Sequence, residues 1–108
     1  MTVKELCEKI GAEMLTPGDC DRLVTGCYCG DLLSWVMSRA EEGDAWLTVM
    51  GNVNAVAVAV LADCACIILT ENAALDDEAK QKATEQNVCF MKSDKNTYQL
   101  ACEISKLI

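Results

Sequence analysis

Histidine is absent from the 108-residue chain, and proline occurs once, at Pro17. Without histidine the chain lacks the side chain that most often moves protons near neutral pH. Ser–His and Cys–His nucleophile pairs are excluded with it. Ser34, Ser38, Ser93 and Ser105 lie in no nucleophile-elbow motif, and there is neither a Walker A sequence nor a GxGxxG run behind a strand. The expectation is a protein that is not an enzyme and carries no cofactor. Positive charge is also scarce: 9 Lys and Arg stand against 17 Asp and Glu, a formal net charge of −8. An acidic surface repels phosphate backbones and anionic lipid, so neither nucleic acid nor a membrane is expected as a partner. Aromatic side chains are limited to Tyr28, Trp35, Trp46, Phe90 and Tyr98, which leaves the core to Val, Leu, Ile, Ala, Met and Cys.

What is present reads as one globular unit. Hydrophobic residues make up 52% of the chain, too many for a disordered segment. No linker, repeat or low-complexity segment interrupts it, and Pro17 sits in the turn-rich TPGDCD. A single domain over residues 1–108 is expected. The longest apolar run, Val53 to Leu69, is broken by Asn54 and Asp63 and is no membrane span. The opening MTVKELCEKIG is amphipathic and has no apolar signal core, which points to the cytoplasm. In a reducing compartment the eight cysteines act chiefly as small core hydrophobes.

Hydrophobic spacing sets the elements. Val3, Leu6, Cys7 and Ile10 recur at helical period, with Gly11 as the stop. AEMLT reads as a strand, and DRLVTG as a second that leads into a CYCGD loop. Asp31 is the expected N-cap of LLSWVMSRA, with Leu32, Leu33, Val36, Met37 and Ala40 as its inward stripe. AWLTVMG alternates as a strand does. NVNAVAVAVLADCA fits a strand by alternation and a helix by length and alanine content. Because a strand precedes it and CIILT follows, a parallel crossover decides for helix. ALDDEAKQKATEQN is an exposed helix stopped at Asn87, and VCFMKS a last strand. Asp94 or Asn96 then caps a helix that turns Tyr98, Leu100, Ala101, Ile104 and Leu107 or Ile108 inward. This alternation predicts an α/β fold, a three-layer α/β/α sandwich with a mostly parallel sheet of 4–5 strands.

Residues 21 to 72 resemble the DRTGG domain family, through TG followed by GDLLS, GDAWLT, NAVAVA and CIILTEN in that order. Residues 76–98 continue the pattern more weakly. Asp21, Arg22, Thr25, Gly26 and Gly30 stand where the family's name-giving letters fall. Where the family often has a histidine, this chain has Asn52. The resemblance implies a domain similar to the N-terminal domain of HPr kinase/phosphorylase, of a kind found beside CBS domains, in phosphotransacetylases and as short free-standing proteins. It implies a regulatory or ligand-binding role and carries over no catalytic residue.

Three sets of residues could carry function. The TGCYCGD loop offers Thr25, Gly26, Gly30 and Asp31, with glycines that admit a ligand to the backbone and free N–H groups at a helix start. MGNVN offers Asn52 and Asn54, and TEN offers Thr70 and Glu71. If the intervening strands are parallel, these loops share one edge and could bind a nucleotide or another small anionic metabolite. The plainer roles are a strand-to-helix turn for the first loop and helix capping for the asparagines. Second, the C-x-C pairs Cys27/Cys29 and Cys64/Cys66 could supply four thiolates to zinc or an iron–sulfur cluster, as in an accessory protein of anaerobic redox metabolism. Third, an enzyme built on carboxylates would need Asp31, Asp44 or Glu71 in one pocket. The preferred expectation is a regulatory or ligand-sensing interaction module, a homodimer, with Tyr28 as a possible contact for a protein partner.

Overall fold

The computed structural model describes residues 1–108. Helix α1, Val3–Ile10, starts in a capping box in which Thr2 accepts from the Glu5 amide, and it ends on Gly11 at φ 67°. Strand β1 is Glu13–Thr16 and β2 is Gly26–Cys29; helix α2 is Leu33–Arg39, β3 Asp44–Thr48 and α3 Val53–Ala62. Strand β4 (Cys66–Leu69), helix α4 (Asp77–Glu85), strand β5 (Phe90–Lys92) and helix α5 (Thr97–Ser105) follow. One sheet runs in the order β1-β5-β4-β3-β2. Strands β2 to β5 are all parallel, and β1 joins β5 antiparallel. This is the expected α/β/α sandwich.

The period of two along each strand sorts the core into two layers. Ala45, Leu47, Cys66, Ile68, Cys89 and Met91 point to one face, where Val3, Leu6, Cys7 and Ile10 of α1 and Leu100 and Ile104 of α5 cover them. Trp46, Ile67, Leu69 and Phe90 point to the other, beneath Val36 of α2, Val56 and Ala59 of α3 and Ala79 and Ala83 of α4. β4 lies between β5 and β3 and is buried along its whole length, which explains why CIIL is apolar at every position. Trp46 is fully buried, and its indole N–H donates to the Gly30 carbonyl at 2.8 Å, so no polar atom is stranded. The alanine-rich α3 is the crossover that topology required, capped by Asn52, whose side chain accepts from the Ala55 amide.

Four expectations are corrected. The second strand covers Gly26–Cys29, not DRLVTG; residues 21–25 form a turn and an approach segment, bridged at Leu23 to Thr2 and tied by the Val3 amide to the Arg22 carbonyl and by the Val24 amide to the Met1 carbonyl. CYC is therefore an edge strand and Tyr28 a strand residue, not part of a loop. Helix α2 begins two residues after Asp31, with Leu32 at the cap position and no side-chain cap bond. Asp31 is drawn instead to β3, where its Oδ1 accepts from Thr48 Oγ1 at 2.7 Å and from the Val49 amide at 3.0 Å. Of the α2 stripe only Val36 is buried; Leu32 and Met37 are 58% and 48% exposed. Tyr98 also points outward, because the Asn96–Gln99 capping box sets the first turn of α5 so that Leu100 and Ile104 take the inner face.

Candidate functional site

Parallel pairing brings the loops after β2, β3, β4 and β5 to the carboxyl edge of the sheet. Gly30, Asp31, Asn52, Asn54, Thr70 and Glu71 gather there. Thr25 and Gly26 do not: they open β2 and lie at the opposite edge beside Gly43 and Asp44. Thr25 donates from its amide to the Gly43 carbonyl and from its hydroxyl to the Glu42 carbonyl, and Gly26 packs on the Asp44 carboxylate. Asp44, at the amino edge, shares no pocket with Asp31 and Glu71, so the three-carboxylate arrangement does not form. Asp44 Oδ2 serves the Glu41 amide at 2.8 Å.

The carboxyl rim is extensively bonded to itself. The Gly30 amide donates to the Leu47 carbonyl and the Thr70 amide to the Thr48 carbonyl. The Thr48 hydroxyl, buried and bonded to Asp31, accepts from the Met50 amide at 3.2 Å. Thr70 is fully buried, and its hydroxyl accepts from Thr97 Oγ1 at 3.3 Å. Gly51 is seated on the Ala74 carbonyl, where a Cβ would collide. Glu71 and Asn72 stand consecutively in the left-handed region, at φ 55° and 57°, with the Ala73 amide bonded to the Thr70 carbonyl, which makes a type I′ turn. Asparagine tolerates that conformation; glutamate is strained in it. Asn54, Glu71 and Asn72 are exposed polar side chains of this rim, as is Asp31.

No cavity opens at the rim, and topology gives the reason. Strands β2 to β5 advance in one direction, with their three crossover helices all on one face, so no reversal of strand order pries two loops apart there. The cavities lie elsewhere. An apolar groove of about 500 Å³ runs between α3 and α4, lined by Val53, Val56, Ala57, Val60, Leu61 and Lys82 among others. A more polar cleft of about 260 Å³ lies by Arg22, Asp63, Gln86 and Asn87 at the amino edge.

Arg22 has a role that motif reading did not reveal. Its guanidinium grips the carboxyl end of α3, with Nη1 at 2.8 Å from Asp63 Oδ1 and Nη2 at 2.8 Å from the Asp63 carbonyl. Helix carbonyls left without an intrahelical partner are satisfied by a cation at the negative end of the dipole. Arg22, Thr25 and Gly26 thus latch the approach to β2 onto the amino edge.

The cysteines do not assemble as four ligands. Cys66 is buried in the central sheet, Cys64 lies in the turn after α3, and Cys27 and Cys29 are exposed on the edge strand. No group of three or more His, Cys, Asp or Glu side chains is placed to hold a metal ion. Burial pushes the Cys64 thiol up to about 11 and the Cys89 thiol up to about 12. Cys29 moves the other way, down to about 7, because its thiolate accepts a hydrogen bond from the Cys27 thiol; the same bond and burial raise Cys27.

A five-stranded α/β/α unit with a self-bonded rim and an apolar groove along one outer helix defines a class, the small three-layer α/β domain. The sequence profile of the DRTGG domain matches residues 5–107, and the chain belongs to the DRTGG domain family. Among solved structures it is similar to the CBS and DRTGG domains of the regulatory region of Clostridium perfringens pyrophosphatase, complexed with the activator diadenosine tetraphosphate. The TM-score is 0.78 at 12% identity, over 95% of this chain. The chain spans 45% of the length of that structure, and at this identity the likeness is one of fold. No curated protein matches the chain. No helix is long and apolar enough to cross a membrane.

Proposed function

We propose that this chain is a non-catalytic regulatory module whose α3 helix docks on a second copy of the chain and whose carboxyl rim senses a nucleotide or similar small anionic metabolite. The observation that carries this reading is the outer face of α3. Nine of the ten residues in VNAVAVAVLA are apolar, and a helix that is apolar on all sides is ordinarily covered on all sides. Here Ala57, Val60 and Leu61 face outward, with Val60 46% and Leu61 69% exposed, beside the apolar groove to α4. A contiguous apolar patch of this kind marks an interaction surface.

The rim and the face are mechanically joined. Asn52 caps α3 at the rim, and Arg22 holds its far end. A ligand that bonds Asn52, Asn54 and Glu71 above the buried Thr70, with Gly30 and Asp31 at its border, biases the seating of α3 and so the dimer, as a shift between two pre-existing arrangements. The family supports a regulatory role, and the nucleotide activator in the clostridial complex makes mono- and dinucleotides the first ligands to test. The reading keeps the protein in the cytoplasm and without a catalytic centre. Sedimentation at micromolar to millimolar protein, with and without a nucleotide panel, tests it. Dimers that Leu61→Glu dissociates, and melting that a nucleotide at 100 times its Kd raises by about 2.7 kcal/mol of stability, are expected. A monomer at every concentration that no nucleotide stabilises would refute it.

A further inference from the structure

We propose that Cys27 and Cys29 form a peroxide-oxidisable dithiol, a modification site on the free edge of the sheet that changes the shape of β2. Both are exposed, and residues two apart on a strand face the same side. Each thiol is the largest single influence on the ionisation of the other. β2 is the last strand of the sheet, four residues long, with β3 as its only neighbour. It can therefore distort without displacing a second strand. None of the other six cysteines has a neighbour at this spacing on an exposed strand: Cys7, Cys66 and Cys89 are buried, and Cys20, Cys64 and Cys102 are half-buried and lie outside the strands.

The chemistry balances with a peroxide as oxidant. The Cys29 thiolate attacks one oxygen of hydrogen peroxide, the O–O bond breaks, and the departing hydroxide takes a proton to leave as water. Cys29 is then a sulfenic acid, two electrons poorer. The Cys27 sulfur attacks it, the S–O bond breaks, and the Cys27 proton leaves with the hydroxyl as a second water, which closes the disulfide. Cys29 is the attacking sulfur because it is the more acidic of the two, titrating near 7 through the bond from Cys27. The groups around the pair are the Asp44 carboxylate on β3 and the buried Cys66 thiol on β4, both of which act against ionisation of Cys27.

Closure has a structural consequence. Same-face residues of a strand have Cα atoms about 6.6 Å apart, near the upper limit of about 6.8 Å for a disulfide. The bond therefore draws the strand into a sharper pleat. The ladder of Cys27 and Cys29 against Ala45 and Leu47 loosens, and with it the Gly30 carbonyl that receives the Trp46 indole and the Asp31 carboxylate that holds Thr48. A strained, exposed disulfide is also readily reduced, so the change is reversible. The oxidation itself does not depend on rim binding or on dimerisation; only its regulatory effect rests on the function proposed above.

Trypsin gives a direct readout, because both cysteines and no others lie in the peptide 23–39, between Arg22 and Arg39. Anaerobically reduced protein is treated with one equivalent of hydrogen peroxide, alkylated and digested. The expected result is that peptide, unalkylated and lighter by two hydrogens, while the Cys20 and Cys102 peptides remain alkylated. Cys27→Ser should leave a sulfenic acid on Cys29 that dimedone traps. Cys29→Ser should abolish the fast reaction, which for Cys29 at pH 7 runs about three- to fivefold faster than for an ordinary exposed thiol. In a Trp35→Phe background, Trp46 fluorescence should change with oxidation and return with dithiothreitol. A 23–39 peptide that stays doubly alkylated, or Cys20 and Cys102 oxidising as fast, would overturn the proposal. Either result leaves the sedimentation and nucleotide tests untouched.

Discussion

Replacing Asp31 by alanine tests whether the loops of the carboxyl rim are held by the side chain that sequence assigned to a helix cap. Asp31 Oδ1 accepts two hydrogen bonds, from the Thr48 hydroxyl at 2.7 Å and the Val49 amide at 3.0 Å, and makes none to α2. Bonds to a charged acceptor contribute about 1.5–3 kcal/mol, and because Asp31 is exposed the lower end applies. The loss leaves the buried Thr48 hydroxyl with the Met50 amide as its remaining partner. Asp31→Ala should therefore cost about 1.5 kcal/mol, or roughly 6 °C in Tm for a domain of this size. Thr48→Val, close to isosteric, removes the same bond from the other side. A double-mutant cycle followed by urea unfolding should give a coupling of about 1 kcal/mol. Asp31→Asn keeps an oxygen acceptor and should recover about half of the loss. Additive single effects, with coupling under about 0.3 kcal/mol, would refute the clasp. A loss confined to α2 helicity would restore the capping role.

Three further outcomes follow from other parts of the molecule. Cys66 and Cys89 are buried, with thiols raised by desolvation, Cys89 to about 12. An unfolded thiol titrates near 8.5–9, so above that pH the unfolded chain releases protons that the folded one retains. The contribution of these thiols to stability is thus complete below about pH 8.5 and is lost as pH rises, for Cys89 toward about 12, at about 1.4 kcal/mol per group and pH unit. Urea midpoints at pH 8, 9 and 10 should show the fall, and Cys66→Ala and Cys89→Ala should flatten it; an unchanged slope would contradict the burial argument. Gly51→Ala should cost about 1–3 kcal/mol because its Cβ meets the Ala74 carbonyl, and chemical denaturation measures it. Arg22→Lys keeps the charge but not the fork, and should lose about 1 kcal/mol by the same assay, with faster amide exchange in the last turn of α3.

Residue pattern alone revealed most of the architecture, and the reason is periodicity. α1, β4 and α4 each have an unbroken spacing, and the two helices are followed by Gly11 and Asn87 in the left-handed region. α3 is ambiguous by pattern, and only the need for a crossover between two parallel strands identifies it. The failures cluster around β2. No residue of this edge strand is fully buried, so LVTG, with its aliphatic and β-branched residues, reads as the better strand although CYC pairs with β3. Asp31 looks like a cap because the local signal for capping ignores an acceptor's alternative partners eighteen residues away. The site was legible only in part. Parallel β3 and β4 bring Asn52, Asn54, Thr70 and Glu71 together as expected, but which end of β2 holds Thr25 depends on where that strand begins. The groove of α3 and α4 was not foreseen, since a helix that is apolar all round carries no sequence mark to distinguish its inner from its outer face.

Backbone amide shifts of ¹⁵N-labelled protein, titrated with the nucleotide panel, test most directly whether rim and helix act as one unit. The account predicts concentration-dependent shifts at Asn52, Asn54, Thr70 and Glu71, accompanied by shifts at Val60 and Leu61 on the outer face of α3. Shifts confined to the cleft beside Arg22 and Asn87, or none at all from a folded protein, would contradict it.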